Sequence, residues 1–116
     1  MRRREGRIME QTRVIKDELI RLFADRIRER LKGRLEQVLL FGSRARGDSD
    51  LESDYDFLVV VDEVSMDVRE ILDEVSADFL CRYDTLFSVI PISEERFSKE
   101  RYNPLLINVR REGIAV

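Results

Sequence analysis

Two aspartates, Asp54 and Asp56, have the type and spacing in this sequence that point most directly to chemistry. They precede an apolar run, residues 57–61, of the kind that forms a buried strand. Side chains two residues apart on a strand leave the same face, with their backbones roughly 7 Å apart. Two carboxylates that close repel each other unless a cation lies between them. Since Mg²⁺ prefers carboxylate oxygens completed by substrate phosphates, the pair is a candidate metal site for a nucleoside triphosphate.

A glycine-serine pair ends the preceding apolar run, residues 38–41, and opens the polar loop that leads to these aspartates. Gly42 and Ser43 are followed by Arg44 and Arg46, whose guanidinium groups suit contact with phosphate. Ser43 is also placed to cap a short helical turn whose free N–H groups would face a phosphate. The loop is therefore a candidate phosphate-binding segment.

Two known motifs with similar letters do not fit this stretch. A P-loop requires Lys where this chain has Asp48, whose charge would repel a phosphate. An EF-hand loop starting at Asp48 would need Gly and Glu where this chain has Ser53 and Val59. A solvated acidic turn between two strands is the remaining alternative. An isolated Asp-x-Asp would favour that alternative, but its combination with Gly-Ser, basic residues and two flanking apolar strands is more specific.

Composition bounds the class of protein. The 116 residues allow one domain, and apolar and charged fractions of 43% and 39% describe a globular chain. There is no His, which excludes Ser-His and Cys-His catalysis and disfavours zinc. The net charge of −3 disfavours general nucleic-acid binding. No apolar run is long enough for a membrane span, no secretory signal is present, and Cys81 is alone, so a cytoplasmic location is expected.

The elements that must position the loop follow from hydrophobic periodicity. Residues 1–9 form a basic amino-terminal arm, and a single domain is predicted over residues 10–116. An apolar stripe predicts an amphipathic helix over residues 10–31, and a second one over residues 65–81, in which Cys81 is interpreted as a small core residue. The stripe of the first helix consists of Val14, Ile15, Leu19, Leu22, Phe23, Ile27 and Leu31.

Three strands are predicted: over residues 35–41, over residues 54–62 with the two aspartates at its beginning, and over residues 83–92. Pro91 fits an edge strand or a strand end, because it donates no ladder hydrogen bond. Ser93 is expected to cap a short helix, and Pro104 to begin a last, unusually apolar helix that ends at Gly113. That last helix is either a docking surface or ordinary core.

The segment resembles the minimal nucleotidyltransferase domains of the DNA polymerase β superfamily, and the resemblance covers nearly the whole chain. Gly42, Ser43, Ser53, Asp54 and Asp56 match the family's pattern of Gly-Ser, a short loop and Asp-x-Asp. The resemblance implies that Gly-Ser holds the triphosphate and that the two aspartates bind Mg²⁺ (or Mn²⁺). It also implies a small mixed α/β sheet of three to four strands, with helices packed mainly on one face.

A third carboxylate is the feature of the family that this chain lacks. Alignment on the helix that begins after Ser93 places it at Ser88, whereas the nearest acidic residue, Asp84, is four residues earlier. Four residues span about 13 Å of a strand, too far for the same role unless a bulge intervenes. Asp84 is interpreted either as an ordinary strand-edge residue or as a displaced catalytic base. Without the third carboxylate, nucleotide and one metal could still bind while transfer slows.

The resulting hypothesis is transfer of a nucleoside monophosphate, AMP from ATP or that of another NTP, to an acceptor hydroxyl. Gly42, Ser43 and Arg44 would bind the nucleotide, and Asp54 and Asp56 would hold the metal. The resemblance to antitoxins of HEPN/MNT pairs implies a helical HEPN-type partner. Two alternatives stay open: a non-catalytic nucleotide-binding antitoxin or adaptor, and a small-molecule nucleotidyltransferase of the aminoglycoside type, which would need a homodimer.

Overall fold

A computed structural model gives the backbone of residues 8–41 and 55–116, and the side chains of residues 18–41 and 56–116. The predicted elements are found there, with a short additional strand at the end. In chain order they are helix α1 (Ile8–Leu31), strand β1 (Leu35–Phe41), strand β2 (Tyr55–Val61), helix α2 (Met66–Tyr83), strand β3 (Phe87–Ser93), helix α3 (Glu94–Lys99), helix α4 (Pro104–Glu112) and strand β4 (Ile114–Ala115).

The strands form one mixed sheet in the order β3-β2-β1-β4. β1 pairs antiparallel with β2 and with β4, whereas β2 and β3 run parallel and are joined through α2. A parallel pair requires such a crossover, because the chain must return to the end where it started. The strand order makes β3 an edge strand among the described residues, which is one of the two positions that the sequence predicts for Pro91.

The two long helices cover one face of the sheet. The side chains that α1 and α2 bury against it are spaced three or four residues apart, which is one face of each helix. Four phenylalanines form the centre of this core. Phe23 of α1 stacks on Phe87 of β3 at 4.1 Å between ring centroids and contacts Phe57 and Phe79 at 4.9 and 5.1 Å. Burial of these rings fixes α1 across the parallel strand pair.

The two short helices cover the opposite face. Leu106 and Val109 of α4 are buried against Leu58 and Val60 of β2, with Phe97 of α3 packed beside them. The apolar sequence of α4 is therefore explained by core packing. The predicted α/β class is confirmed, with the longer helices on one face and a lighter cover on the other.

Polar side chains cap the beginnings of three helices, and the sequence predicts one of these caps, Ser93. The Ser65 and Ser93 hydroxyls each accept a hydrogen bond from the backbone N–H three residues on, at the first turns of α2 and α3. At the beginning of α4, the side-chain oxygen of Asn103 accepts a hydrogen bond from the N–H of Leu105, two residues on, at 2.9 Å. Each cap satisfies an N–H group that the first helical turn leaves without a partner.

A carboxylate links the end of α3 to the beginning of α4. Glu100 accepts hydrogen bonds from the Arg96 guanidinium at 2.7 and 3.0 Å, and another from the Asn103 side chain at 3.0 Å. The hydrogen bonds from Arg96, then those from Asn103, lower the pKa of Glu100 from its ordinary value of 4.5 to about 2. Because Asn103 also caps α4, the ionised Glu100 helps to hold the turn between the two helices.

Three details of the sequence interpretation are wrong. β3 begins at Phe87 rather than near residue 83, because α2 continues to Tyr83. Cys81 is exposed rather than a core residue, since it lies about 200° around the helix from buried Phe79. Leu22 is 47% exposed, beside the buried stripe of α1 rather than in it.

The predicted basic arm falls mainly on residues 1–7, outside the described residues, and α1 begins at Ile8. Within the described segments, none of the helices has the length and hydropathy needed to cross a membrane.

Candidate active site

The strand register brings the beginning of β2 beside the end of β1. Asp56 is the second residue of β2, and it pairs with Phe41, the last residue of β1. Phe41 is followed in the sequence by Gly42 and Ser43, and Asp56 is preceded by Asp54. The antiparallel pairing therefore places the chain positions from which both halves of the predicted motif depart at one end of the sheet.

Alternation along β2 determines which face carries the Asp56 carboxylate. Phe57, Val59 and Val61 belong to the core beneath α1 and α2, whereas Leu58 and Val60 belong to the core beneath α4. Asp56 has the same parity as Leu58, so it lies on the α4 face. Its side chain is half exposed.

Gly42, Ser43, Arg44 and Asp54 lie outside the described residues. Their assignment as nucleotide and metal ligands stays a prediction. Of the predicted site residues, Asp56 is the one that the structure describes.

Ser88 lies directly across from Asp56 on the neighbouring strand. The two residues are partners in the parallel β2–β3 ladder, and both are half exposed. Neighbouring strands are about 4.8 Å apart, and side chains of paired residues leave the same face. The alignment that places the family's third carboxylate at Ser88 is therefore geometrically apt: a carboxylate at this position would be adjacent to that of Asp56.

Asp84 does not belong to the strand, contrary to the sequence interpretation. It follows the last residue of α2 with φ 54° and ψ 37°, and its backbone N–H donates to the Leu80 carbonyl at 2.9 Å. Aspartate tolerates this left-handed conformation better than most residues, so Asp84 ends the helix. It is exposed and precedes the strand by three residues. Its position is explained by helix termination, which removes the reason to interpret it as a base on β3.

The helix α4 also reaches this end of the sheet, which the sequence reasoning missed. Ile114 of β4 pairs with Leu40 of β1, so the preceding residues, Glu112 and Gly113, lie near the carboxyl end of β1. Glu112 is half buried and lies in the last turn of α4. The sequence signal for the end of α4 was Gly113, but only the pairing of β4 shows where that end lies.

The described donor set is small but suits a hard cation. A carboxylate oxygen from Asp56 and a hydroxyl oxygen from Ser88 are the oxygen ligands that Mg²⁺ accepts. Within residues 8–41 and 55–116 no group of three or more His, Cys, Asp or Glu is arranged to hold a metal. A metal here would therefore depend on further ligands from Asp54, phosphate groups or water, as Mg²⁺ sites commonly do.

Comparison with known proteins places most of the chain in one family. The family model for the nucleotidyltransferase domain matches residues 20–113. Two archaeal relatives from Methanocaldococcus jannaschii each bear the name "Putative protein adenylyltransferase". One is 34% identical over 97 residues, covering 84% of this chain and 93% of the relative. The other is 39% identical over 74 residues, covering 63% of this chain and 75% of the relative.

Solved structures with a similar fold belong to toxin–antitoxin systems. One is a crystal structure of a toxin–antitoxin with AMP-PNP, with TM-score 0.53 and 19% identity over 85% of this chain and 69% of the other. Another is a crystal structure of a mutant MntA-HpeT toxin–antitoxin, with TM-score 0.54 and 16% identity over 87% of this chain and 70% of the other. At these identities the likeness establishes the fold.

Proposed function

This chain belongs to the nucleotidyltransferase domain family and is thus a transferase, and we propose that it moves AMP from ATP to a hydroxyl group of a partner protein. The observation that carries the proposal is the pairing of Asp56 with Phe41. Because Gly42-Ser43 directly follows Phe41 in the sequence, this register supports a site in which a phosphate-binding pair departs from the strand end that lies beside a metal-binding Asp56. The names of the archaeal relatives support a protein as acceptor.

The proposed roles follow from residue chemistry. Gly42 and Ser43 bind the triphosphate through backbone N–H groups and the Ser hydroxyl, and Arg44 neutralises phosphate charge. The acceptor oxygen forms a bond to the α-phosphorus as the bond from that phosphorus to pyrophosphate breaks. The hydroxyl proton leaves to solvent, and pyrophosphate is the other product. Catalysis of this kind is mainly positioning and charge stabilisation, so few protein groups are required.

Asp54 and Asp56 would hold the metal ion, Mg²⁺ or Mn²⁺. When bound, such an ion neutralises phosphate charge and helps to activate the acceptor hydroxyl. The half-exposed Asp56 is accessible to an ion that arrives with its nucleotide. The fit rests on hard oxygen donors, and it agrees with the absence of His from the sequence.

The partner we propose is a HEPN-type helical protein, encoded beside this chain and modified by it as the toxin of a toxin–antitoxin pair. The fold shared with toxin–antitoxin structures, one of them with AMP-PNP, supports this proposal. A small domain with a partly exposed carboxylate at the sheet end also suits a large acceptor, because a small acceptor would need more enclosing surface.

The experiment that tests this function follows label from α-³²P-ATP in the presence of Mg²⁺ and the protein encoded next to this chain. Wild type is compared with Asp56→Asn, which keeps the side-chain size and removes the charge. Asp73→Asn, an exposed position of α2 far along the chain from the site, is the matched control. We expect label on the partner with wild type and with the control, and a loss of at least about 100-fold with Asp56→Asn. Equal labelling by Asp56→Asn would refute the assignment.

A second candidate function is nucleotide binding without transfer, as an antitoxin or adaptor that acts by contact. The observation that favours it is Ser88, because a hydroxyl faces Asp56 where a carboxylate would assist deprotonation of the acceptor. The two functions are separated by one comparison. A rise in melting temperature with Mg²⁺-ATP but no label transfer indicates binding alone.

The small-molecule alternative requires a homodimer, which gel filtration with and without the partner would show.

A further inference from the structure

Four of the nine large apolar side chains that are exposed among the described residues lie near β3, the edge of the described sheet. Among the described residues, Leu80 and Tyr83 of α2 are 43% and 42% exposed, and Leu86 and Ile90 are 52% and 37% exposed. All four lie between the last turns of α2 and the middle of β3. Ile92 of β3, in contrast, is buried under the short helices. The cover on the α4 face therefore ends before it reaches Ile90.

This apolar edge lies next to the candidate active site. Ile90 follows Ser88 by two residues and so leaves the same face of β3, whereas Leu86 immediately precedes the first residue of the strand. Ser88 is the ladder partner of Asp56. We define the β3 edge surface as Leu86, Ser88 and Ile90. It borders the carboxylate on the side of the sheet away from β1.

The order of the strands separates two directions of approach. The residues proposed to hold the triphosphate follow β1, on one side of β2. β3 lies on the other side of β2 and has no further strand beyond it among the described residues. In-line displacement requires the acceptor oxygen and the leaving pyrophosphate to lie on opposite sides of the phosphorus, so an acceptor at β3 would suit a triphosphate held by the residues that follow β1.

The edge suits a short peptide segment better than a long strand. Edge strands offer backbone groups to an added segment, and alternate side chains of that segment can contact the apolar side chains on one face. Pro91 has no N–H to donate, so it interrupts such pairing just beyond Ile90. The segment that fits would thus span only the few residues beside Leu86 to Ile90.

We propose that the β3 edge surface binds a short, extended, apolar segment of the acceptor protein and presents its Ser, Thr or Tyr hydroxyl beside Asp56. Leu86 and Ile90 contact apolar side chains on either side of the hydroxyl-bearing residue. Ser88 lies between them, where a larger acidic residue would narrow the space next to Asp56. This inference rests on the proposed function, since it assigns that site its acceptor, and its test separates the two.

Two isoleucines with equal exposure provide a matched comparison. Ile90 of β3 and Ile107 of α4 are each 37% exposed, but only Ile90 belongs to the β3 edge surface. Asparagine removes the apolar contact at each position without adding a charge near Asp56. Ile90→Thr serves as a second variant, because a β-branched residue preserves the strand preference. Thermal unfolding verifies that each variant is folded, and the melting-temperature rise with Mg²⁺-ATP reports nucleotide binding.

The assay measures kcat/KM for transfer of label from α-³²P-ATP to the protein encoded next to this chain. We expect Ile90→Asn and Ile90→Thr to lower it by about tenfold or more, chiefly through KM, with nucleotide binding unchanged and Ile107→Asn like wild type. Equal values for the Ile90 and Ile107 variants would overturn the docking assignment while leaving the transferase intact.

If wild type transfers no label, the proposed function fails and complex formation on gel filtration becomes the readout. A complex formed by wild type and Ile107→Asn but lost in Ile90→Asn then supports the β3 edge surface as the contact. Complexes that form equally with all variants, or with none, overturn it.

Discussion

Replacing Ser88 with aspartate puts a second carboxylate beside Asp56 on the neighbouring strand. The two positions are partners in the parallel ladder, with backbones about 4.8 Å apart and side chains on one face. At about 5 Å and an effective dielectric constant of about 20, two unit charges repel each other by about 3 kcal/mol. Because both positions are half exposed, water and salt screen the pair, and we expect a loss of about 1–2 kcal/mol.

The assay is thermal unfolding of Ser88→Asp and Ser88→Asn, which differ in charge but hardly in size. In EDTA at pH 7, we expect the aspartate variant to melt about 4–8 °C below the asparagine variant. The difference should shrink as the pH falls towards 4, because repulsion raises the pKa of the pair and protonation then relieves it. Excess Mg²⁺ should also reduce it, since a cation between the carboxylates reverses the sign of the interaction.

Identical melting temperatures in EDTA would show that position 88 does not face Asp56, and would refute the register argument. A difference that Mg²⁺ leaves unchanged would show that the pair does not bind the ion. If wild type transfers label, Ser88→Asp should transfer it faster than Ser88→Asn, because the third carboxylate is restored where the acceptor hydroxyl loses its proton.

Three further perturbations test the framework of the site. Phe23→Ala removes the ring at the centre of the aromatic core and should lower the free energy of unfolding by about 3–5 kcal/mol in urea; a loss below about 1 kcal/mol would contradict the packing. Glu100, with its pKa held near 2, contributes stability that is present above about pH 4.5 and lost as the pH falls towards 2. Glu100→Gln should flatten the melting temperature over that range, and an unaltered pH profile would exclude the contribution. Gly113→Ala places a methyl group against the Val109 carbonyl oxygen and should cost about 1–3 kcal/mol, whereas Gly33→Ala, with nothing within 4 Å, should be near neutral in the same urea assay.

Much of the framework could be predicted from local sequence because the causes are local. The sequence correctly predicts where the strand over residues 35–41 and the last helix, from Pro104, begin. Apolar periodicity and capping residues act within a few positions, so they can be read locally. The cap predicted at Ser93 follows from the chemistry of one hydroxyl and one nearby N–H group. The α/β fold class, which the resemblance to nucleotidyltransferase domains implies, agrees with the order of these elements.

The predicted start of β3 near residue 83 and the predicted strand position of Asp84 are wrong for one reason. The sequence pattern predicts the end of α2 too early. Residues 83–92 are rich in β-formers, but Tyr83 packs on Phe79 at 5.1 Å between ring centroids, which prolongs the helix. Asp84 then ends the helix in a left-handed conformation. This contact joins residues one helical turn apart, so local packing of Tyr83 on buried Phe79 outweighs the β propensity of a few residues, which is a weak preference by comparison.

For the candidate site, the sequence by itself determined which residue types are available: Gly42-Ser43, the Asp-x-Asp pair and a serine at position 88. Only the tertiary structure decided that Ser88 is the ladder partner of Asp56, that the end of α4 reaches the same end of the sheet, and that β3 is an edge of the sheet formed by the described strands. The physical reason is that strand order and register depend on packing of two faces at once. Burial of Phe57 against α1 and of Leu58 against α4 fixes β2 between them, and a shift by one residue would exchange those faces.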